Sequence, residues 1–222
     1  MIYMSLKSKN ENFTVIIPTL WLSNFTIDLL TSYENCTYVD EILVIDNAIA
    51  SRPQIDFSVY KKLRFLEQKE NIYVNPAWNL GVKEAKNELI AISNDDIIYN
   101  PEPVFKFISE ATDWGAIGMS SLNFKLPASE ISVEPGADIG GGWGCLIFVR
   151  KSEWIPISED IKIWYGDNWI ILASKKHNKP VLKLRTSDLI KTKMSTSSGA
   201  LNFNPIIQRD IEIWKKWFNL PS

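Results

Sequence analysis

The sequence predicts an α/β protein, with a mostly parallel central sheet and helices on both faces. Short apolar runs alternate with helical patterns from Phe13 onward, which is the spacing of strand–helix–strand units. The 222 residues are 45% hydrophobic and 23% charged, with only 10 Gly and 11 Pro. This composition is globular and excludes disordered, collagen-like and coiled-coil chains.

The first half supplies the clearest elements. Thr14–Ile17 is a buried strand ending at Pro18, and Asn24 can cap a helix through Tyr33. Asn75 and Pro76 supply an N-cap and a proline at the first helical position, so a second helix should run to about Lys86. The other predicted strands of this half are Glu41–Ile45, Leu63–Leu66 and Glu88–Ser93.

The second half is less regular, with a long irregular stretch from Leu122 to Gly144. The predicted strands are Ala116–Ser120, Cys145–Val149 and Val181–Leu184, and the predicted helices are Pro101–Ala111, Asn168–Lys176 and one opened by Asn204 and Pro205. We expect a polar tail at 1–12 and a single domain at 13–222. Its parts are a first half (13–100), a second half (101–203) and a C-terminal helix (204–222).

Charge and cysteine usage exclude further classes. The net charge of −2 and the lack of a basic run argue against a nucleic-acid-binding protein. Cys36 and Cys145 form no metal-spaced cluster and suggest a reduced chain. The longest apolar stretches are short and the N-terminus lacks the pattern of a signal peptide, so we expect no transmembrane segment and a cytoplasmic location.

Acidic residues follow the predicted strands. Asp46 follows the second strand, Asp95 and Asp96 follow the fourth, and Asp167 opens a later helix. Ligands of parallel α/β sheets bind beyond the carboxyl ends of the strands. Clustered carboxylates there suit Mg²⁺ or Mn²⁺ shared with ligand phosphates, so we expect one of these cations as cofactor. Asp46 with Asn47 could instead form a strand-ending turn, since such residues favour turns.

Four segments in this order resemble family 2 glycosyltransferases, which have the nucleotide-sugar-binding fold called GT-A. Glu70–Gly81 (ENIYVNPAWNLG) is similar to their ENxGxxxxxNxG segment. Val15–Thr19 resembles their first strand and Ile42–Asn47 their second, while Ser93–Asp96 resembles their DxD or xDD metal motif. The resemblance covers roughly residues 13 to 100 and implies that they form a nucleotide-binding half, with 101–203 as the acceptor half.

The resemblance implies roles for individual residues. Pro18 and Thr19 would lie under the nucleotide, Asp46 would accept a hydrogen bond from a base N–H, and Asn71 would add a second contact near the base. Asn79, the second Asn of the motif, joins the nucleotide-binding set. Asp95 would meet the ribose or a metal-bound water, and Asp96 would ligate the metal bridging the diphosphate. The implied donor is a nucleoside-diphosphate sugar, UDP-linked, and the acceptor is a glycan or another hydroxyl.

The second half resembles the family more loosely. A glycine run at 140–144 and a strand precede Asp167, in the order in which the family places its catalytic base. An inverting transferase needs one carboxylate to take the acceptor proton, which makes Asp167 the candidate and Asp160 and Glu159 weaker alternatives. Asp167 could also be an ordinary N-cap. We place Gly142 and Trp143 at the sugar or acceptor, with a loop anchor as the alternative for Trp143.

Three departures separate this sequence from the family. Tyr73 replaces the glycine after the first Asn, and an arginine often found before the second Asn is absent. The late stretch where the family often has a metal-ligating histidine has none, although Lys191 or Lys193 could supply positive charge there. The single histidine, His177, is expected to be exposed.

Two other functions remain open from the sequence. A nucleotidyltransferase shares the α/β layout but needs a Gly-rich basic loop after its first strand, unlike Pro18-Thr19-Leu20-Trp21. A non-catalytic nucleotide-sugar or glycan-binding module on the same fold would bind donor without releasing its sugar.

Overall fold

The computed structural model describes residues 11–119, 129–136, 143–186 and 202–219, together with the backbone of 190–191. Gly142 and Lys193 lie outside these ranges. None of the helices in this part of the chain has the length and apolarity that crossing a membrane requires.

Parallel strands form the first half. Its elements are β1 (Phe13–Thr19), α1 (Thr26–Asn35), β2 (Val39–Asp46), β3 (Leu63–Glu67), α2 (Val74–Glu84) and β4 (Leu89–Ser93). β1 pairs in parallel with both β2 and β4, and β2 pairs in parallel with β3. The carboxyl ends of these strands therefore meet at one edge, where Thr19 is the register partner of Asp46.

The second half extends the same sheet with strands of both directions. Its elements are β5 (Ile97–Ile98), α3 (Pro101–Glu110), β6 (Ala116–Met119), β7 (Ser132–Pro135), β8 (Leu146–Arg150), α4 (Gly166–Lys176), β9 (Val181–Arg185), β10 (Ile190–Lys191) and α5 (Asn204–Trp217). The eight-stranded sheet has the order β3-β2-β1-β4-β8-β6-β9-β7, which confirms the predicted fold class. β8 runs antiparallel to β4, so its beginning lies at the carboxyl end of β4.

The sheet separates two apolar clusters, and β1 contributes to both with the alternation of a strand. Val15 and Ile17 join the cluster that includes residues of α1 and α3, while Ile16 joins the cluster that includes residues of α2 and α4. Gly81 permits the close approach of α2, because a Cβ there would lie 2.4 Å from the Ile16 side chain. The last glycine of the ENxGxxxxxNxG-like segment is thus needed for helix–sheet packing.

Some predicted boundaries were wrong. α1 begins at Thr26 after Phe25, so Asn24 is not its cap. α2 begins at Val74, which puts Asn75 inside the helix instead of at its N-cap. α4 begins at Gly166, so Asp167 is its second residue. Each difference is one or two residues, the precision to which a local sequence pattern defines a helix start. The short strands β5, β7 and β10 were not predicted, since two to four residues carry no clear periodicity.

Candidate active site

A hydrogen bond between strand ends organises the acidic cluster. The Thr19 hydroxyl at the end of β1 donates to Asp95 Oδ2 at 2.6 Å and accepts from the Trp21 backbone N–H at 2.8 Å. Both Asp95 and Asp96 are buried. Burial raises the pKa of Asp95 to about 6; the Thr19 hydrogen bond opposes the rise and the nearby charge of Asp96 adds to it.

The two adjacent carboxylates fit a hard divalent cation. Within the described ranges, no group of three or more His, Cys, Asp or Glu side chains could hold a metal ion. Asp95 and Asp96 are two carboxylates, the number with which proteins usually hold Mg²⁺ or Mn²⁺ while ligand phosphates complete the coordination. β10 pairs its Lys191 backbone with Ile97, directly after Asp96. Lys191, which belongs to the late stretch without a histidine, therefore lies next to the acidic motif.

Asp46 is completely buried and engaged with protein groups. Oδ1 accepts from the Trp21 indole N–H and the Ala48 N–H, both at 3.0 Å. Oδ2 accepts from Arg52 Nε at 2.6 Å, and Arg52 also binds Glu67. The Arg52 guanidinium lies over the Phe65 ring, 4.2 Å from its centroid. The three hydrogen bonds to Asp46 show that it orders the loop after β2; its predicted contact with a nucleotide base stays a prediction.

The loop between β3 and α2 is hydrogen-bonded to Asn47, the residue that follows β2. Asn47 Oδ1 accepts from the Ile72 N–H at 3.2 Å, and Asn71 Oδ1 accepts from the Tyr73 N–H at 2.8 Å. Tyr73 has φ 67° and ψ −178°, a backbone conformation that is essentially restricted to glycine. Tyr73 thus has a backbone conformation typical of glycine at the position where the ENxGxxxxxNxG pattern has glycine.

Asp167 lies at the same edge as the acidic motif. The Asn94 N–H donates to the Cys145 carbonyl at 2.9 Å, which ties the end of β4 to the start of β8. A Cβ built on the preceding Gly144 would lie 3.5 Å from Asp167 Oδ2. Gly144 and Cys145 therefore connect the candidate base with the Asn94–Asp96 turn, and the absence of a side chain at Gly144 leaves room beside the carboxylate.

The Asp167 carboxyl is partly buried at the start of α4. Its Oδ1 accepts from the Asn168 N–H at 2.9 Å. Burial raises its pKa, and the hydrogen bonds from backbone amides of the helix start oppose the rise. Glu159 and Asp160, the weaker alternatives, are exposed, as is His177.

Two of the predicted site residues have other environments. Trp143 is 1% exposed, and its ring packs against Gly118, where a Cβ would come within 2.0 Å of it. This burial favours a role for Trp143 as a loop anchor over a contact with a sugar, because neither face of its ring is open to a ligand. The Asn79 amide bonds the backbone of Ile157 through both its oxygen and its nitrogen and accepts from the Trp154 indole. It joins α2 to the 154–157 segment instead of the strand-end cluster. Pro18 is half-buried in β1, next to Thr19.

Several residues that shape the site were missed by sequence reasoning. Trp21 and Arg52 surround Asp46. Asn75, Gly166 and Asp210 surround the segment that leads to Asp167, the candidate general base. One signal was available: Asp210 interrupts the apolar stripe of the last helix between Ile207 and Trp214. A charged residue on a buried stripe is expected to hold something specific.

Comparisons with known proteins place the fold. No family model matches the sequence. No curated protein sequence matches it either. Among solved structures, Staphylococcus aureus TarS (residues 1–349) is similar at 17% identity and a TM-score of 0.60, over 82% of this chain and 60% of that one. A Pyrobaculum calidifontis mannosyltransferase solved with GDP-mannose and Mn²⁺ is similar at 12% identity and a TM-score of 0.63, over 88% and 62%.

A third structure, GalNAc-T7 with UDP, GalNAc and Mn²⁺, is similar at 13% identity and a TM-score of 0.59, over 87% of this chain and 45% of that one. The chain spans less than two thirds of each of these structures. At such identities the likeness concerns the fold alone. The chain has the GT-A fold of glycosyltransferases.

Proposed function

We propose that this chain is a glycosyltransferase that moves a sugar from a nucleoside-diphosphate sugar, UDP-linked, to a hydroxyl of a glycan or other acceptor. The observation that carries the proposal is a connection at the sheet edge: Asn94, next to Asp95 and Asp96, bonds Cys145, and the adjacent Gly144 lies beside Asp167. An acidic pair that can hold a cation for the diphosphate, together with a lone carboxylate that can take a proton, is what inverting transfer from such a donor uses.

Residues of the first half would hold the donor. Thr19, fixed by Asp95 and the Trp21 amide, lies at the end of β1 where the nucleotide would sit. The loop ordered by Asp46 and the Asn71 segment would border the base. Asp96, with Asp95, would hold Mn²⁺ or Mg²⁺, which when bound supplies a Lewis acid for the charge that develops on the departing diphosphate.

Asp167 would act as the general base. Its carboxylate would take the proton of the acceptor hydroxyl as that oxygen attacks the anomeric carbon from the face opposite the diphosphate, which inverts the configuration. A base must be ionised to do this. The raised pKa of Asp167 keeps it a stronger base than an ordinary carboxylate while leaving it ionised at pH values above that pKa.

A transfer assay with labelled donors tests the proposal. The full chain is incubated with UDP-, GDP- and TDP-linked sugars and a mixture of glycan acceptors, with Mn²⁺ or with EDTA. We expect labelled product from a UDP-linked donor with Mn²⁺ and none with EDTA. Donor binding by calorimetry without any transfer or sugar release would instead support the non-catalytic binding module.

A further inference from the structure

A buried carboxylate on the last helix holds the chain segment that leads to Asp167. Asp210 is 0% exposed. Its Oδ1 accepts from the Lys162 N–H at 3.0 Å, and its Oδ2 accepts from the N–H groups of Ile163 at 2.7 Å and Trp164 at 2.9 Å. Hydrogen bonds to an ionised acceptor are about twice as strong as neutral ones. One side chain therefore fixes three consecutive backbone amides.

The same segment is bound from the opposite side by α2. The Asn75 backbone N–H donates to the Lys162 carbonyl at 2.9 Å, and Asn75 Nδ2 donates to the Trp164 carbonyl at 3.0 Å. Five backbone groups within three residues are thus bonded, three by α5 and two by α2. A loop held in this way has little freedom to shift.

The two residues after this segment transmit its position to the base. Tyr165 adopts a left-handed conformation with φ 64°, and its ring stacks on Trp214 of α5 at 4.6 Å and an interplanar angle of 4°. Gly166 is pressed against Asn75, where a Cβ would lie 2.1 Å from Oδ1. Asp167 follows directly. The carboxylate of Asp167 is therefore placed by the chain from Lys162 to Gly166, which Asp210, Trp214 and Asn75 fix.

The geometry points to Asp210 as a positioning residue for the proposed catalytic base. It holds the Lys162–Trp164 backbone so that Asp167 lies beside Gly144, at the edge of the sheet where the parallel strands end. Asp210 itself contacts neither those strand ends nor Asp167. This role rests on the proposed function. Misplacing a catalytic group by about 1 Å can cost about 100-fold in rate. Loss of the Asp210 bonds should therefore reduce the chemical step and spare donor binding.

Asp210→Asn is the variant to measure. Asparagine keeps the volume of the side chain but replaces one acceptor oxygen with an amide NH₂ group, which cannot accept a backbone N–H. Glu212→Gln is the matched control, since it makes the same chemical change on the exposed face of the same helix. We expect Asp210→Asn to lower kcat by about 10- to 100-fold, with the affinity for UDP and Mn²⁺ unchanged, and Glu212→Gln to leave both unchanged.

A double-mutant cycle with Asp167→Asn separates positioning from general damage. If Asp210 acts through Asp167, Asp210→Asn causes no further loss in the residual transfer of the Asp167→Asn protein. An equal loss in both backgrounds, or wild-type kcat in Asp210→Asn alone, would overturn the assignment while the proposed function stands. No transfer by the unaltered chain would overturn the proposed function, and this role with it.

A second variant covers the case in which Asp210→Asn does not fold. Tyr165→Leu removes the stack on Trp214 from a half-buried position and leaves the buried carboxylate in place. The same pattern is expected: reduced kcat, unchanged UDP binding and no further loss in the Asp167→Asn background. Wild-type kcat in a folded Tyr165→Leu protein would show that the stack does not hold the base.

Discussion

Arg52 Nε donates a 2.6 Å hydrogen bond to Asp46 Oδ2, and this pair joins the loop after β2 to the end of that strand. Asp46 is completely buried, whereas the Arg52 side chain is 19% exposed. The guanidinium extends from the carboxylate to Glu67 and covers the Phe65 ring. Asp46, which is expected to bind the nucleotide base, thus also orders the surrounding loop.

Asp46→Asn should lower both stability and nucleotide affinity. The loss of a hydrogen bond to a charged group costs about 1.5–3 kcal/mol, which urea unfolding can measure. We expect UDP to bind more weakly and free diphosphate to bind as before, because the loop borders the base and not the phosphates. Glu67→Gln is the control, since it removes the other, more exposed partner of Arg52. Equal losses for UDP and diphosphate would refute the role near the base.

Asp96→Ala should abolish metal-dependent diphosphate binding. The residue lies in the turn after β4, and alanine there has no carboxylate to hold the cation. Calorimetry with UDP, with Mn²⁺ and with EDTA, measures the effect. We expect the gain in affinity that Mn²⁺ gives the unaltered protein to disappear in the variant. Unchanged UDP affinity with Mn²⁺ would remove Asp96 as a metal ligand.

Tyr73→Gly should be more stable than Tyr73→Ala. The backbone of Tyr73 lies in a region that costs a non-glycine residue about 1–3 kcal/mol. Glycine relieves this strain at an entropic cost of about 0.5–1 kcal/mol, whereas alanine keeps the strain. Both variants lose the ring contact with Phe203, whose centroid is 6.3 Å away, so the difference between them reports the strain alone. Urea unfolding of both variants measures the difference, and equal stabilities would show that the position carries no strain.

Much of the fold could be predicted from the sequence, because β1, β2 and β4 each contain a continuous apolar run and are followed by polar residues. The acidic pair Asp95–Asp96 and its place at the sheet edge followed from the same pattern. The burial of Trp143 against Gly118 could not be predicted, because Gly118 lies on β6, far from Trp143 in sequence. The hydrogen bonds from Lys162–Trp164 to Asp210 could not be predicted for the same reason. Asp210 and its three amide partners lie more than 45 positions apart in sequence, and only the packing of α5 brings them together.

Asp167→Asn should be more stable than the unaltered protein at neutral pH. Burial raises the folded-state pKa of Asp167, so ionisation destabilises the fold at pH values above that pKa. Asparagine carries no charge and removes this cost. The advantage should vanish as the pH falls below about 3.9, where the carboxyl is protonated in both states. Urea unfolding at a series of pH values measures it. Lower stability of the variant at neutral pH would mean that the ionised carboxylate supports the fold.

Steady-state transfer by the same variant, Asp167→Asn, tests the proposed mechanism most directly. Asparagine keeps the shape and can still accept the Asn168 N–H bond, but it cannot take a proton. We predict a fall in kcat of about 10²- to 10⁴-fold with UDP-sugar affinity near that of the unaltered protein, and loss of the acid limb of the pH–rate profile. Rapid transfer by the asparagine variant would contradict the account and remove Asp167 as the base.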